Sequence, residues 1–268
     1  MLTIWILVFF SILTTAVYKI IFTQLKLSRV MEEKAICPYL AKAACLYAWA
    51  EDQDDLTGYD SLAELKKSRE RVMGNVKFTY TQVDEEAKIN INTASAETLS
   101  RLPGMNLELG QKIIASTLRP FALKEELLCI EDLTEKEFGE FKDLITVYGN
   151  GSVNINTAPA QVLVALGLED NLAANIVEFR KGVDKEEATS DDEVFENTGE
   201  IINKLRSISS LSGDQEAELV SLISQNLLSV STKNLALQIQ TFISSKSAMR
   251  YVVVMAVKDN KIKQWNEY

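Results

Sequence analysis

The sequence predicts an α+β fold in which a long N-terminal helix packs on a small antiparallel sheet and a large all-helical domain is inserted into that sheet. Three observations lead to this fold class. The chain begins with an apolar segment that continues as an amphipathic helical pattern. Segments with the two-residue periodicity of strands occur before residue 85 and then again only after residue 234. Between them, one thirteen-residue peptide occurs twice in a region of helical periodicity.

The first element is residues 1–22, which carry no charge before Lys19 and stay apolar to Phe22. This length approaches the roughly 20 residues that a helix needs to cross the hydrocarbon core of a bilayer. A cleaved signal peptide is the alternative, but its apolar region is usually shorter and a small-residue cleavage site follows it. No such site follows here, so we predict a retained transmembrane helix over residues 1–22.

The helical pattern continues beyond residue 22, with Leu27, Leu40 and Ala48 among the regularly spaced apolar residues. Pro38 lies inside this pattern. Proline lacks the N–H that a helix interior uses, so we expect a kink or a short break there.

The charges around the membrane segment favour one orientation when taken by themselves. The basic residues Lys19, Lys26, Arg29 and Lys34 all follow the span, and none precedes it. Read literally, the positive-inside rule places the rest of the chain in the cytoplasm. The sequence also starts abruptly inside the apolar segment. We therefore expect either a removed leader or a natural start upstream, and the charge rule then loses its basis.

Four segments have strand periodicity, and we predict that they form one sheet. They are Asn75–Asp84, Leu235–Ile243, Met249–Lys258 and Lys261–Tyr268. The last two are joined by Asp259-Asn260, a suitable hairpin turn. A single strand is not stable alone, so the first segment is expected to join the other three in an antiparallel sheet packed on the amphipathic helix.

The region between the first predicted strand and the three C-terminal strands is therefore an insertion in the sheet. This region contains NINTASAETLSRL from Asn90 and NINTAPAQVLVAL from Asn154, which lie 64 positions apart and are identical at eight of thirteen positions. In each copy, Thr93 or Thr157 is placed to cap a short helix. The predicted organisation is a transmembrane helix (1–22), the first part of the α/β domain (23–87), an inserted all-helical domain (88–229, with repeats at about 88–150 and 151–229) and the C-terminal strands (230–268).

Each repeat is typical of a helix–hairpin–helix or SAM-like unit, in which two short helices are joined by a tight turn, here Pro103-Gly104 in the first copy. Such units often bind DNA by offering turn amides to a phosphate. Here Gly104 is followed by Met105-Asn106 where a second glycine is usual, and the second copy lacks the Pro-Gly turn. Residues 88–181 contain 9 basic and 13 acidic residues, a net charge of −4. A packing module is therefore favoured, and DNA binding is the alternative.

Composition excludes several kinds of enzyme. The net charge of −10 argues against a general polyanion binder, which needs clustered Lys and Arg. The chain has no histidine, which excludes Ser-His-Asp and Cys-His catalysis. No pair of carboxylates is placed by an interpretable motif, so we predict no catalytic residue and no enzyme. Cys37, Cys45 and Cys129 form no disulfide framework, and we expect them to be small buried side chains.

An acidic loop, VDKEEATSDDEVFENTGE, follows the second repeat. Its carboxylates could supply the hard oxygen ligands of calcium, and the candidates are Asp184, Glu187, Asp191 and Asp192. No DxDxDG spacing is present, and such a run usually forms a solvated loop. We therefore assign no metal site and no cofactor, and calcium stays open as the alternative.

The order of these elements resembles protein K of the type II (general) secretion pathway, a minor pseudopilin family. The resemblance spans nearly the whole chain, and three segments carry it: VDEEAKININTA (Val83–Ala94), LITVYGNGSVNINTAPAQVLVAL (Leu144–Leu166) and VKDNKIKQW (Val257–Trp265). It implies a pilin-like α/β fold with an inserted helical domain. It also implies a single-pass protein of the inner membrane with its globular part in the periplasm. Calcium occurs in this family, but no ligand pattern carries over residue by residue.

The resemblance further implies a non-enzymatic structural function. Other minor pseudopilins and the inner-membrane secretion machinery are the expected partners, and no nucleic acid is expected. Most pseudopilins have a glutamate near the mature N terminus that protein K lacks, and no acid precedes Glu32 here. Together with the bulky insertion, this implies a position at the pseudopilus tip, where the subunit starts the filament. A membrane-anchored DNA-binding protein of the competence type, with a similar hairpin module, is the alternative.

Overall fold

The computed structural model of the chain describes residues 2–208, 210–244 and 246–268, without the side chains of residues 246–248. The helices in these ranges are α1 (Leu2–Asp54), α2 (Leu62–Lys66), α3 (Ala96–Ser100), α4 (Leu107–Ala115), α5 (Glu135–Phe141), α6 (Ala160–Leu166), α7 (Asp170–Arg180), α8 (Ile201–Ile208) and α9 (Gly213–Ser224). The strands are β1 (Arg69–Met73), β2 (Val76–Asp84), β3 (Ile89–Asn90), β4 (Ile145–Thr146), β5 (Val153–Asn154), β6 (Leu228–Ser229), β7 (Asn234–Ile243), β8 (Lys246–Ala256) and β9 (Lys261–Glu267). Two short 3₁₀ helices lie at Lys124–Cys129 and Thr198–Glu200.

Helix α1 extends over 53 residues, and its first half differs from its second. The first half is apolar and contacts no core: its most apolar stretch of 18 residues has a mean hydropathy of 2.1 and is not buried. By length and composition it can cross a membrane. The predicted segment 1–22 thus belongs to a longer helix, except that Met1 lies outside the described residues.

Of the kink or short break expected at Pro38, the break is wrong, because α1 passes through Pro38 without interruption. The kink stays a prediction. Proline removes the hydrogen bond to the carbonyl four residues earlier, which here belongs to Lys34. Lys34 is exposed, so water can satisfy the freed carbonyl and the helix continues.

Five strands form one sheet in the order β1-β2-β7-β8-β9, and every neighbouring pair is antiparallel. Tyr80 of β2 is paired with Ile239 of β7, and Leu237 of β7 with Val253 of β8. Strands from both ends of the globular part are therefore neighbours, which confirms the predicted sheet. Strand β1 was not predicted.

The second half of α1 packs on one face of this sheet. The two elements and α2 share a core, here called the sheet core, whose buried members are Cys37, Leu40, Ala41, Ala44, Cys45, Ala48, Leu65, Phe78, Tyr80, Leu235, Leu237, Ile239, Ile243, Tyr251, Val253, Met255 and Val257. Cys37 and Cys45 are buried as expected, whereas Cys129 is exposed. Every member of the sheet core lies outside residues 86–233.

The insertion leaves the sheet at Asp84, at the end of β2, and returns at Asn234, at the start of β7. Helices α3 to α9 surround a second core, which includes Leu99, Phe141 and Leu163. The helix–hairpin–helix units are α3–α4 and α6–α7. Each unit is closed by a short parallel strand pair that joins its beginning to its end, β3 with β4 and β5 with β6. The insertion is helical, as predicted, apart from these two-residue strands.

The predicted helix caps at Thr93 and Thr157 are wrong. Helix α3 starts two residues later than expected, and the Ser95 side chain caps it by accepting a hydrogen bond from the Thr98 N–H at 3.1 Å. Helix α6 follows Pro159 and has no side-chain cap. The Thr157 hydroxyl is used elsewhere, at the junction described next.

Candidate functional site

The first Asn-Ile-Asn-Thr-Ala box (Asn90–Ala94) ties its own helical unit together through two asparagine side chains. The Asn90 side chain donates to the Tyr148 carbonyl at 2.9 Å and accepts from the Asn92 N–H at 2.9 Å. The Asn92 side chain accepts from the Phe121 N–H at 2.7 Å and donates to the Phe121 carbonyl at 2.9 Å. One side-chain amide therefore satisfies both backbone groups of a distant residue.

The second box (Asn154–Ala158) repeats this arrangement with one change. Asn156 accepts from the Phe195 N–H at 2.8 Å and donates to the Phe195 carbonyl at 2.9 Å. The Asn154 side chain accepts from the Asn156 N–H at 3.0 Å, as in the first box. Its amide group, however, donates to the Asp84 carboxylate at 2.9 Å, at the end of β2. The second box thus also joins the insertion to the sheet.

Each box is held by one arginine as well. Arg119 donates to the Asn92 carbonyl at 2.8 Å, and Arg180 donates to the carbonyls of Ile155 and Ala158 at 2.9 and 2.8 Å. The polar side chains of the boxes point into the domain, where they satisfy buried backbone groups. This explains why the peptide occurs twice: each helical unit needs its own internal brace.

The acidic tripeptide Asp84-Glu85-Glu86 connects the sheet to both helical units, and we call it the junction. Asp84 accepts hydrogen bonds from Asn154 and, at 2.6 Å, from the Thr157 hydroxyl in the second box. Glu85 accepts from the Thr146 hydroxyl at 2.6 Å, at the end of the first unit, and pairs with Lys88 at 2.6 Å. All three side chains of the junction are buried.

Glu86 binds the strand by which the chain returns. Its carboxylate accepts from the backbone N–H groups of Lys233 and Asn234 at 3.0 and 2.9 Å, and from the Asn234 side chain at 2.6 Å. Gly149 approaches Glu86 so closely that a Cβ there would lie 2.8 Å from the carboxylate, and its φ of +85° favours glycine. The junction therefore holds the departing strand, the returning strand and both helical units at one point.

The junction is electrostatically unusual because two buried acids lie close together. Burial raises the pKa of the Asp84 carboxyl to about 7, since a desolvated carboxylate is disfavoured. The hydrogen bond from Thr157 lowers this pKa, and the nearby charge of Glu86 raises it again. Burial also lowers the pKa of Arg180 to about 10. Arg180 is 3% exposed, and among the described residues its ionic partner is Glu187, at 3.5 Å.

A further contact fixes the loop between α1 and α2 to the same region. Asp60 accepts from the Thr232 N–H at 2.6 Å, and its own N–H donates to the Val230 carbonyl at 2.9 Å. Burial raises the pKa of Asp60 to about 6. The linker before β7 is thus held from two sides, by Asp60 and by Glu86.

Acidic side chains lie at both hairpin turns. Gly104 has a φ of +71° in the first turn, and the Glu140 carboxylate lies 2.8 Å from the position of a Cβ on it. A negative side chain therefore lies beside the first hairpin turn, where it disfavours an anion. In the second unit the turn passes Gly167 and leads into α7 through Glu169 and Asp170. These acids likewise disfavour an anion.

Three of the four calcium candidates, Asp184, Asp191 and Asp192, accept hydrogen bonds within their loop, and Glu187 pairs with Arg180 of α7. Asp191 accepts from the N–H groups of Val183 and Asp184, and Asp192 accepts from that of Ala188 at 2.9 Å. Among the described residues, no group of three or more Cys, Asp or Glu side chains is arranged to hold a metal ion. The side chains in this arrangement do not fit a calcium site. No metal site was assigned, and calcium at Asp184, Glu187, Asp191 and Asp192 stays the untested alternative.

The junction acids were missed by the sequence analysis, although a signal was present. The alternation of β2 continues to Asp84, so that a charged residue occupies a position on the buried side of the strand. Glu85 and Glu86 follow Asp84, so three acids stand where a strand with a buried side ends, shortly before the first box. That pattern indicates buried carboxylates with specific partners.

Comparisons with known proteins agree with this architecture. Residues 84–146 match the family model of the helix-hairpin-helix motif, and residues 153–222 match that of type II secretion system (T2SS), protein K. A chain in the crystal structure of the GspK-GspI-GspJ complex from the enterotoxigenic Escherichia coli type 2 secretion system superposes with a TM-score of 0.58 at 12% sequence identity. The superposition covers 88% of this chain and 94% of that one.

A curated relative matches over a shorter stretch. The endonuclease/exonuclease/phosphatase family domain-containing protein 1 of Danio rerio is 31% identical over 126 residues. The match covers 38% of this chain and 23% of that protein's length. Because the match covers so small a part of that protein, it gives no ground for assigning an enzymatic activity to this chain.

The fold and these matches define a class: a pilin-like α/β subunit with an inserted helix–hairpin–helix domain. Within that class, the predicted resemblance to protein K of the type II secretion pathway, a minor pseudopilin family, is confirmed by the family model and the shared fold.

Proposed function

We propose that this chain is a structural minor pseudopilin that assembles with other minor pseudopilins at the tip of a type II secretion pseudopilus and starts the filament for protein export. The observation that supports this most is the sheet order β1-β2-β7-β8-β9 with a helical insertion between β2 and β7, together with the protein K match at residues 153–222. In the solved complex of the related fold, GspK is bound to GspI and GspJ.

Helix α1 supplies the assembly element in this proposal. Its first half is apolar and exposed, which suits the inner membrane before assembly and contact with neighbouring helices afterwards. Its second half also exposes apolar side chains on the side away from the sheet, with Tyr39 at 72% and Leu46 at 55%. A single-pass anchor with the globular part in the periplasm is the arrangement we propose.

The insertion and α1 support the proposed tip position. Residues 1–31 contain no acid, so this stretch offers no carboxylate to the N-terminal amine of a subunit above it. The junction holds the helical domain to the sheet through three buried acids, so the domain cannot easily swing aside for another layer. A subunit of this shape ends a filament. The mechanism is mechanical and non-enzymatic.

Co-purification tests the proposal. The full chain in detergent, mixed with two other minor pseudopilins of the same secretion system, is expected to elute as a complex on size exclusion. Leu46→Glu places a charge on the exposed side of α1 and is expected to weaken the complex at least tenfold. Leu56→Glu is the matched control, because Leu56 is 97% exposed and lies beyond α1. A chain that stays monomeric in the mixture contradicts the proposal.

The alternative function, DNA binding of the competence type, is favoured by one observation, the helix-hairpin-helix match at residues 84–146. The acids at both hairpin turns oppose it. Binding of the full chain to a 30-base-pair duplex, measured by fluorescence anisotropy at several salt concentrations, separates the two functions. Salt-dependent binding would support the alternative, because phosphate contacts release counterions.

A further inference from the structure

A cleft of about 820 Å³ lies between the two helical units. One wall is formed by α3 and the residues around it, a second by the turn at Gly167, and a third by α9. Its volume falls within the range of roughly 300–1,000 Å³ that is usual for ligand sites. The two cores and the junction acids account for the fold without filling this space.

The charges on the walls of the cleft are not paired with one another. Arg101, on the wall of the first unit, is exposed and donates a single long hydrogen bond, of 3.5 Å, to the Ala165 carbonyl. Asp214 and Glu218 line the opposite wall and are four residues apart on α9, hence on one side of that helix. Within the described part of the chain, no ion pair joins Arg101 to either acid.

Glu218 shows the clearest lack of a partner. One of its carboxylate oxygens is buried and has no hydrogen-bond partner. Glu218 as a whole is half-buried, and among the described residues its carboxylate has no cationic partner. A cationic side chain of a ligand in the cleft would compensate this charge. Hydroxyl and amide side chains of Thr98, Ser221 and Gln225 lie along the same cleft and match the N–H and C=O groups of a peptide backbone.

We propose that this cleft binds an extended polypeptide segment of another protein, with a Lys or Arg side chain of that segment at Asp214 and Glu218 and a backbone carbonyl at Arg101. The two acids outweigh the single arginine, so the cleft disfavours acidic segments and nucleic acid. This inference goes beyond the proposed function and does not depend on it, because none of the described residues of α1 or of the five-stranded sheet lines the cleft.

A peptide library tests the proposal. The full chain, immobilised in detergent micelles, is exposed to a phage library of random octapeptides, and the retained peptides are sequenced. We expect enrichment of Lys or Arg at one position and depletion of Asp and Glu. One enriched peptide is then synthesised, and its affinity is measured by isothermal titration calorimetry.

Variants identify the residues involved. Glu218→Gln, Asp214→Asn and Arg101→Glu are each expected to weaken binding of the synthetic peptide at least tenfold. Glu131→Gln is the control, because Glu131 is exposed and does not line the cleft. Asp214→Asn alters an exposed side chain, so it tests the cleft even if a variant at Glu218 folds poorly. Retention no higher than on empty micelles, or equal affinity for wild type and Asp214→Asn, would overturn the inference.

Discussion

At the scale of the residue, Asn92 and Asn156 make the same two hydrogen bonds in different solvent environments. Each bridges the N–H and the carbonyl of one distant phenylalanine, but Asn156 is 2% exposed and Asn92 is only half-buried. Removing a bridge leaves two backbone groups without partners, and water reaches them more easily at Asn92. The same substitution should therefore have a larger effect in the second box.

We predict that Asn156→Ala lowers the free energy of unfolding by about 2–4 kcal/mol, since each buried group left unsatisfied costs about 1–3 kcal/mol. Asn92→Ala is the paired variant. It is expected to lower the free energy of unfolding by about 1 kcal/mol less, because water can replace part of the hydrogen bonding that the substitution removes. Urea titrations followed by circular dichroism measure both. Equal losses would show that solvent access does not separate the two boxes.

Asp84 gives a prediction about pH. Its pKa is about 7 in the folded chain and near 3.8 when unfolded, so between these values the folded state binds more protons. Stability therefore falls as pH rises from about 4 to 7, by at most about 1.4 kcal/mol per pH unit for one group. Asp60, whose pKa is raised to about 6, acts in the same direction.

The variant Asp84→Asn removes this titration and keeps a side chain that fits between Asn154 and Thr157. We expect the difference in unfolding free energy between wild type and Asp84→Asn to change with pH between 4 and 7 and to be constant above pH 8. Urea titrations at one-unit pH intervals measure it. A difference independent of pH would mean that Asp84 is ionised throughout.

At the scale of the element, the contact between α3 and α4 depends on one glycine. A Cβ on Gly110 would lie 2.7 Å from the Ala96 carbonyl oxygen, which is backbone and cannot move aside alone. Gly110→Ala should therefore separate the two helices and destabilise the chain by about 1–3 kcal/mol, as overpacking does. The thermal midpoint, measured by circular dichroism, should fall.

Gly139 provides the matched control. It lies in α5, and a Cβ at this position would meet no neighbouring side chain or packed element within 4 Å, so Gly139→Ala changes helix propensity alone. This variant should stabilise by about 0.5–1 kcal/mol, because alanine loses less backbone entropy than glycine in a helix. If both variants shift the midpoint in the same direction, helix packing at Gly110 is not the cause.

The elements also show which features a sequence can predict. Strands β2, β7 and β8 were predicted because buried residues recur at alternate positions along them. Strand β9 has no buried residue and was predicted from its position after the Asp259-Asn260 turn. Strand β1, with the sequence RERVM, is exposed along nearly its whole length and shows no such alternation. It is held by the hairpin turn at Gly74-Asn75, and Gly-Asn between two extended runs was the available signal.

The candidate site was predicted less completely, for a different reason. The two boxes were found because they are repeated, but the partners of their asparagines lie 29 and 39 residues downstream. No local pattern links Asn156 to Phe195. The strand pairs β3–β4 and β5–β6 are two residues long, which is too short for any periodicity to show. Such contacts follow only from the assembled fold.

At the scale of the whole molecule, the insertion and the sheet have separate cores. No member of the sheet core lies within residues 86–233, and the second core, which includes Leu99 and Leu163, is built from residues within that range. At the junction, the Glu85 N–H donates to the Asn234 carbonyl at 3.0 Å, so the two ends of the insertion are paired as neighbours in a hairpin. The chain between them can therefore be replaced by a turn.

We predict that a chain in which Asn-Gly replaces residues 86–233 still forms the sheet. Asn-Gly favours the two-residue hairpin turn whose twist matches antiparallel strands, so Glu85 and Asn234 can stay opposite each other. The shortened chain loses the bonds of Asp84 to the second box and the 2.8 Å hydrogen bond from Tyr148 to Gln264, so it should be less stable than the full chain. In detergent it should nevertheless unfold cooperatively in urea, with slow hydrogen exchange at Phe78 and Tyr251, whose side chains are buried in the sheet core.

Val253→Asp in the same shortened chain is the control. It should abolish the cooperative transition and the slow exchange, because it places a charge at a fully buried position. Rapid exchange without a cooperative transition in the parent shortened chain would mean that the sheet needs the inserted domain to fold, and that the two are a single unit.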